Sequence, residues 1–305
     1  MSSPVHPAVR VLGEPGPDAE TVEPGAEDDP VAIDLNVDAA LLLQEMVGID
    51  AYPLVLALMP NIYRHDDRDR VHAVVAEQLA EAGILVDGAV HPVVEHWLRC
   101  LYRPDVELIV RIIDTGLDGE TEGMLRLSLV RSGQTHVLAV RHDDHVVIQS
   151  VFQEGEDLET LTAVLAAALG PCSPVRFEPV TASSQQITEI QEEVQADPER
   201  RKRALMEVGA SPAAASVLDR AFGEVVRRAE VVMAEYRDGT DSKPDTCVTV
   251  LDTLSGRVVV TPRVAVDGAV WVTYSPGDDA ALRSAIGALT ELLPGRKWFG
   301  SSRTG

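Results

Sequence analysis

The sequence predicts an α+β fold in which one order of elements, a helix, four strands and a closing helix, occurs twice. Short runs of alternating apolar and polar residues are typical of strands with one buried face, and apolar residues at helical spacing are typical of amphipathic helices. Equivalent positions of the two copies are about 121–124 residues apart in the 305-residue chain. Because two copies cannot make a solenoid, we expect a pseudo-symmetric body with quasi-two-fold duplication.

The first copy occupies residues 105–170. Leucines at alternate positions of its second strand indicate one buried face. The four predicted strands, joined by an acidic loop and two tight turns, are Val106–Ile113, Met124–Arg131, Thr135–Arg141 and His145–Phe152. Apolar residues from 158 to 168 then follow the spacing of a helix, which Gly170 and Pro171 end.

The second copy occupies residues 229–294. Its four predicted strands are Ala229–Met233, Val248–Leu251, Arg257–Thr261 and Ala269–Tyr274. Apolar residues from Leu282 to Leu293 predict the closing helix. The match continues upstream, where Pro92–Tyr102 aligns with Pro212–Phe222, so each copy also begins with a helix.

The stretch before the first copy predicts one strand followed by helices. Val31–Val37 alternates in polarity, as a strand does. Asp38 is placed to cap a helix that runs through Val47. An apolar run, Tyr52–Met59, precedes a second helix over Asp66–Gly83, whose apolar residues share one face.

A helical section, residues 183–222, separates the two sheet regions. Asp197 and Pro198 are a helix-start signal, and Gly209 ends that helix. The only dense basic run of the chain, Arg200–Arg203, lies in the same helix. We interpret this run as a solvated helix face, with an acidic contact on a partner as the alternative.

These patterns divide the chain into four parts. Residues 1–30 contain seven acidic residues and one basic residue, Arg10, a composition typical of a disordered acidic tail. An N-terminal half, 31–182, contains helices, four strands and a helix. A C-terminal half, 183–298, contains a helical bundle, four strands and a helix, and 299–305 is expected to be a loose tail.

Composition narrows the classes of partner. The net charge of −23 and the pI of about 4.6 argue against binding to nucleic acid or to an anionic membrane surface. No apolar run reaches the ~18 residues of a membrane span, and the N-terminus lacks the basic and apolar regions of a secretory signal. Cys100, Cys172 and Cys247 are few and odd in number, so we expect them to be reduced and the protein to be cytoplasmic.

Two polar clusters resemble metal sites but are better interpreted as turns. The His-Asp-Asp-His sequence at 142–145 contains zinc-binding residue types, yet neighbours in a hairpin turn point apart. The acidic loop that starts at Asp114 has Gly116 and Leu125 at the third and twelfth positions, where a calcium loop needs carboxylates. Since no nucleophile, phosphate-loop or dinucleotide motif occurs either, we predict no catalytic residue, metal or cofactor.

Several short motifs occur in a characteristic order. They are Tyr52-Pro53, Pro60-Asn61, Glu81–Leu85, Leu98–Leu108, Ser132–Ile148 and Leu289–Pro294. In this order, and over about residues 31–298, they resemble the EspG proteins of actinobacterial type VII (ESX) secretion.

The resemblance implies a central antiparallel β-sheet flanked by two helical bundles. It also implies a cytosolic, non-enzymatic chaperone that binds the apolar tip of the PPE protein in a PE–PPE heterodimer and keeps it soluble for export. A related helical type VII substrate of the WXG type is a second possible partner. A non-catalytic interaction module for such proteins and an enzyme of unrecognised type stay open as alternatives, as does a weak homodimer.

The resemblance places the expected docking surface on the sheet, its loops and the C-terminal helical bundle. No residue motif transfers one by one, so the site follows from segment position. The apolar residues of the helical section that we expect to line a groove are Ile187, Ile190, Val194, Leu205, Val208, Leu218 and Phe222. A groove of this kind suits an apolar helical tip. The same spacing is also typical of an ordinary core, and the sequence leaves both interpretations open.

Overall fold

The chain divides into two units, and one of the boundaries between them falls within a β-strand. In the computed structural model, unit 1 comprises Met1–Asp105 and Arg126–Phe152, and unit 2 comprises Val106–Leu125 and Gln153–Gly305. The residues that the structure describes are 9–12, 29–60, 65–116, 119–186, 198–237, 240–242 and 246–303. The predicted helix through Ile187, Ile190 and Val194 and most of the acidic tail lie outside them.

Unit 1 combines antiparallel strands with three α-helices among its described residues. Its elements are β1 (Val9–Leu12), β2 (Ala32–Asn36), α1 (Val37–Val47), α2 (His65–Glu81), β3 (Leu85–Val86), β4 (Ala89–Val90), α3 (Pro92–Tyr102), the second part of β6 (Thr121–Ser132), β7 (Thr135–His142) and β8 (His145–Ser150). The strands pair in the order β1-β2-β8-β7. A single 3₁₀ turn, Leu54–Leu56, follows α1 in the apolar run that precedes α2.

The core of unit 1 lies between the strands and helices α1 to α3. Ile33 of β2, Leu43 of α1 and Leu98 of α3 are fully buried there. The cap of α1 differs from the prediction. Asn36, not Asp38, accepts the hydrogen bond that caps the helix, from the Ala39 amide at 2.8 Å, because the helix starts two residues earlier than a cap at Asp38 implies and asparagine is an equally good N-cap.

Unit 2 contains the longest strands of the described chain. Its elements are β5 (Val106–Thr115), the first part of β6, α4 (Glu159–Leu169), β9 (Val180–Ser183), α5 (Pro198–Glu207), α6 (Pro212–Gly223), β10 (Val225–Arg237), β11 (Thr240–Ser242), β12 (Val248–Thr253), β13 (Gly256–Val264), β14 (Val270–Pro276) and α7 (Asp279–Leu292). The strands pair in the order β5-β10-β12-β13-β14-β9, and β11 pairs with β10.

Helices cover different parts of the two faces of this sheet. On one face, α7 packs on β13 and β10, where the Thr290 hydroxyl lies 3.5 Å from the Met233 sulfur. On the other face, α5 and α6 pack against β12, β13, β14 and β9 in a separate apolar cluster. These two contacts hold the sheet of unit 2 between layers of helix.

The predicted α+β class and the repeated order of elements are confirmed. Helix α3, strands β5 to β8 and helix α4 recur as α6, the strands β10, β12, β13 and β14, and α7. The structure adds short strands that the sequence patterns did not reveal, namely β3, β4, β9 and β11.

Residues 9–12 and 295–298, near the two ends of the chain, are each held by contacts with other elements. Residues 9–12, within the predicted disordered tail, form β1. At the other end Trp298 is only 1% exposed, and the Gly295 amide donates to the Glu235 carboxylate at 2.7 Å. A large apolar side chain and a backbone donor therefore attach residues 295–298 to unit 2.

Candidate partner-binding site

One face of strands β5 and β10 is only partly covered within unit 2. In the antiparallel register, Ile109 lies opposite Val232, Arg111 opposite Glu230, and Ile113 opposite Arg228. Alternation along each strand places these side chains on one face. We call this set the open face; its residues are Ile109, Arg111, Ile113, Arg228, Glu230 and Val232.

The opposite face of the same two strands is buried. Val110 and Ile112 of β5, and Val231 and Met233 of β10, are at most 2% exposed. Met233 contacts α7 through Thr290. The open face is therefore the side of β5 and β10 that turns away from α7.

Helices α5 and α6 border the open face. Arg228 pairs with Leu251 on β12, and Leu251 pairs with Val258 on β13, so these residues share one face of the sheet. Leu251 and Val258 pack in the cluster that contains Leu205 of α5 and Leu218 of α6. The two helices thus lie on the same side of the sheet as the open face and cover its neighbouring strands.

The pair of helices, which we call the α5–α6 hairpin, is held together by a buried ion pair. The Arg201 guanidinium donates to the Asp219 carboxylate and, through Nη2, to the Asp219 carbonyl oxygen at 3.1 Å. Arg201 is 7% exposed and Asp219 is 8% exposed. The interpretation of Arg200–Arg203 as a solvated face is wrong for Arg201, because the partner carboxylate comes from the next helix and sequence spacing does not show it.

The apolar residues predicted for a groove separate into three groups. Leu205 and Leu218 are fully buried in the hairpin–sheet cluster. Val208 and Phe222 are partly buried at its rim, where the Phe222 ring meets the Tyr274 ring edge-on at 5.5 Å. The remaining three, Ile187, Ile190 and Val194, lie outside the described residues.

The open face carries two exposed arginines that share one carboxylate. The Arg111 guanidinium donates to Glu230, and the Arg228 guanidinium lies 3.2 Å from the other oxygen of Glu230. The side chains of Arg111 and Arg228 are 51% and 53% exposed, against 24% for Glu230. The cluster therefore presents a net positive charge among apolar side chains, in a chain whose net charge is −23.

A further ion pair lies on the opposite face of the same two strands. Arg227, the neighbour of Arg228, donates to Asp114 through Nε at 2.5 Å and to the Leu169 carbonyl oxygen at 2.9 Å. The hydrogen bond that Arg227 donates to Asp114 raises the pKa of the guanidinium above its usual value. Asp114, the first residue of the acidic loop, is thereby engaged by an arginine.

The His-Asp-Asp-His sequence forms the predicted hairpin turn between β7 and β8. Asp143 has a φ of 51°, a left-handed conformation that suits a tight turn. His145 Nδ1 lies 3.6 Å from Asp34, while His142 lies 3.8 Å from its neighbour Asp143. Within the described part of the chain no three histidine, cysteine or acidic side chains converge as a metal site would require.

The three cysteines are free thiols. Burial raises the pKa of the Cys100 thiol to about 11, so this group is protonated at neutral pH.

Among the described helices, none combines the length and the apolar character of a membrane span.

The sequence reasoning did not identify the arginines of the open face. Arg111 interrupts the apolar run of β5, and Arg228 lies near the start of β10. In both strands the alternation of side chains places the arginine on the less buried face. A charged residue on an otherwise apolar strand face was the available signal. Its meaning depends on the pairing of β5 with β10, which the sequence did not reveal.

Comparison with known proteins identifies the family. The EspG family model matches residues 36–288. The chain is 30% identical to ESX-1 secretion-associated protein EspG1 of Mycobacterium tuberculosis, with coverage of 90% of this chain and 92% of the relative. It is 29% identical to ESX-3 secretion-associated protein EspG3 of Mycolicibacterium smegmatis, with coverage of 88% and 90%.

A solved structure has the same fold. It is the type VII secretion system chaperone EspG5 of Mycobacterium tuberculosis, solved in complex with the PE25–PPE41 dimer. The superposition has a TM-score of 0.73 at 20% sequence identity and covers 90% of this chain and 99% of the other. Sequence family, coverage and fold agree, and the chain belongs to the EspG family.

Proposed function

We propose that this protein is a cytosolic, non-enzymatic chaperone of a type VII (ESX) secretion system. In this proposal it binds the apolar tip of the PPE protein in a PE–PPE heterodimer and keeps the pair soluble until export. Support comes from membership of the EspG family, from the secretion-associated names of the relatives, and from the fold shared with a chaperone that binds a PE–PPE dimer.

The observation that carries the proposal is the open face beside the α5–α6 hairpin. A secreted helical protein with an apolar tip aggregates unless that tip is covered. The open face offers Ile109, Ile113 and Val232 at partial exposure, so a tip placed there gains apolar contact without unfolding the sheet.

The charges of the open face add selectivity. Two guanidinium groups share one carboxylate, which leaves donors for acceptors on a partner. The end of a helical hairpin presents unpaired carbonyl oxygens from the last turn of its first helix, and arginine donors match such groups. A tip with both apolar side chains and exposed acceptors therefore fits this face better than a purely apolar one.

The α5–α6 hairpin has a supporting role in this proposal. Its buried residues Leu205 and Leu218 fix the hairpin to the sheet, while Val208 and Phe222 lie at the rim. The rim residues are the members of the predicted groove that a partner can reach in the described structure.

Co-expression tests the proposal directly. The chain is co-expressed with PE–PPE pairs and with WXG-type proteins from the same organism, and the soluble yield and co-purification of each substrate are measured. We expect a PE–PPE pair to co-purify and its soluble yield to rise. If only a WXG-type protein co-purifies, that protein and not a PPE protein is the partner. If no type VII substrate co-purifies, the chaperone role is wrong.

A matched pair of variants locates the surface. Ile113→Asp places an unpaired carboxylate on the open face, where burial by a partner costs several kcal/mol. Val74→Asp, on the exposed side of α2 in unit 1, introduces the same charge elsewhere, since Val74 is 54% exposed. We expect only Ile113→Asp to lose the substrate, with both variants retaining their circular dichroism spectra. Equal binding by both variants would exclude the open face.

A further inference from the structure

One end of the open face is marked by an abrupt loss of exposure. The pair Ala234–Glu107 follows the pair Val232–Ile109 along β10 and β5, so its side chains lie on the same side of the sheet. Val232 and Ile109 are partly exposed, whereas Ala234 and Glu107 are each 3% exposed. The accessible part of the open face therefore ends between these two pairs.

Tyr236 lies at this end. It is two residues beyond Ala234 on the same side of β10, and its hydroxyl group donates a hydrogen bond to the buried Glu107 carboxylate. The Arg303 guanidinium lies over the Tyr236 ring, 5.6 Å from the ring centroid, within the range of a cation–π contact. Tyr236 and Arg303 are both partly exposed. We call these two residues the end wall.

The C-terminal segment brings the guanidinium to this position by passing around the sheet. The Gly295 amide donates to the carboxylate of Glu235, whose side chain turns towards the α7 side. Tyr236 is the next residue of β10, so its side chain is on the opposite face. The segment 295–303 therefore begins on the α7 side and ends on the open-face side. Trp298, only 1% exposed, anchors it to unit 2.

We propose that the end wall is part of the partner-binding site and contacts the tip of the PPE protein. This inference rests on the function proposed above, and it adds a specificity-determining contact from a segment that was expected to be a loose tail. Tyrosine and arginine are among the residue types that most often dominate binding at protein interfaces. A guanidinium stacked on an aromatic ring offers a flat surface together with hydrogen-bond donors.

The length of the open face fits one helix. Arg228 and Val232 are four residues apart on β10, which is about 13 Å at ~3.3 Å per residue. An α-helix with its side chains is about 10–12 Å wide. A helix end that packs on Ile109 and Val232 therefore reaches the arginines of the open face on one side and the end wall on the other. The fitting partner is accordingly a tip whose apolar side chains belong to a single helix end.

Two substitutions separate partner binding from stability. Arg303→Met removes the guanidinium from the partly exposed ring and leaves the hydrogen bond between Tyr236 and Glu107 in place. Tyr236→Phe retains the ring under the guanidinium but removes the hydroxyl donor from the buried Glu107 carboxylate. Arg296→Met, at an exposed position beside Gly295, is the control for the loss of one positive charge from the same segment.

The dissociation constant for a PE–PPE pair of the same organism and the midpoint of thermal unfolding are measured for each chain. We expect Arg303→Met to weaken binding at least tenfold, while its midpoint stays within about 1 °C of the native value. Tyr236→Phe should lower the midpoint by about 2–4 °C, because the buried Glu107 loses a donor, and should change the dissociation constant by less than about threefold. Arg296→Met should change neither quantity.

Hydrogen exchange provides a second measurement on the native chain. The backbone amides of residues 298–303 should exchange more slowly when the PE–PPE pair is bound. Unchanged exchange there, or native affinity of Arg303→Met, would overturn the end wall and leave the chaperone role intact. Equal losses of affinity in Arg303→Met and Arg296→Met would also overturn it, since net charge would explain both. If the native chain binds no PE–PPE pair, the chaperone role is wrong, and the end wall with it.

Discussion

Arg257 and Asp252 form a two-point ion pair inside unit 2, with Nε 2.6 Å from Oδ1 and Nη2 2.8 Å from Oδ2. Both side chains are almost fully buried. Arg257 Nη2 also donates to the Gly170 carbonyl oxygen at 3.0 Å, at the C-terminus of α4. The pair therefore joins two adjacent strands, β12 and β13, and supplies a positive charge to a helix end that lacks a basic residue of its own.

Replacing Arg257 should destabilise the protein strongly. Arg257→Met leaves the Asp252 carboxylate buried without its partner, which typically costs 3–5 kcal/mol. The measurement is urea unfolding followed by circular dichroism. Arg263→Met, on an exposed position of the same strand, should change the free energy of unfolding by less than about 0.5 kcal/mol. Equal losses in the two variants would show that the buried pair has no special role.

Replacing Arg201 should loosen the α5–α6 hairpin. Arg201→Met leaves Asp219 buried without its guanidinium partner, again at a typical cost of about 3–5 kcal/mol. Arg203→Met, on an exposed position of the same helix, serves as the control. Hydrogen exchange should increase in residues 198–223 of the Arg201 variant only. No increase there would mean that packing on the sheet alone holds the hairpin.

Charge reversal on the open face should weaken substrate binding without unfolding the sheet. Arg111→Glu and Arg228→Glu surround Glu230 with like charges, so each variant repels acceptors on a partner. We expect at least a tenfold loss of affinity and a weaker dependence of binding on salt. The charge-conserving variant Arg228→Lys should retain most of the affinity. A loss of the same size in Arg228→Lys would indicate a geometric role of the guanidinium rather than its charge.

The stability of the protein should depend on pH through His136. Burial lowers the pKa of this imidazole below its usual value of 6.5, with Arg131 contributing in the same direction. Below pH 6.5 His136 binds a proton in the unfolded chain but stays neutral in the folded chain. The contribution of His136 to the free energy of unfolding is therefore fully present above pH 6.5 and is lost as the pH falls towards the lowered pKa.

Comparison of pH 7.5 with pH 5.5 by urea unfolding tests this dependence. His136→Gln should show a smaller loss of stability at pH 5.5 than the native chain, by at most about 1.4 kcal/mol, because pH 5.5 lies one unit below the usual histidine pKa of 6.5. The same loss in the His136 variant as in the native chain would assign the effect to other groups.

Sequence reasoning predicted the repeated elements because their signals are local. Alternation in the strands, the proline at the start of α3 and α6, and the glycine after α4 each act within a few residues. The hairpin turn at Asp143 was predictable for the same reason. These signals do not depend on which strands become neighbours.

Features that depend on distant contacts were not predictable. Gly256, with a φ of 126°, accommodates the Ser173 carbonyl oxygen at a position where a Cβ atom would lie 2.5 Å from it. Nothing in the residues around 256 indicates that segment 173–175 passes there. The burial of Arg201 and the exposure of Arg111 likewise follow from elements that are far away in sequence. Sequence patterns therefore place the candidate site only at the level of its helical section and sheet, and the site stays a prediction.

The register of β5 and β10 sets how the first strands of the two copies meet. Ile109 and Val232 occupy equivalent positions in the two copies, and they lie directly opposite each other. In a strand pair between two identical subunits, a residue meets its own counterpart only at the dyad axis. The two copies therefore meet as two subunits of a homodimer would.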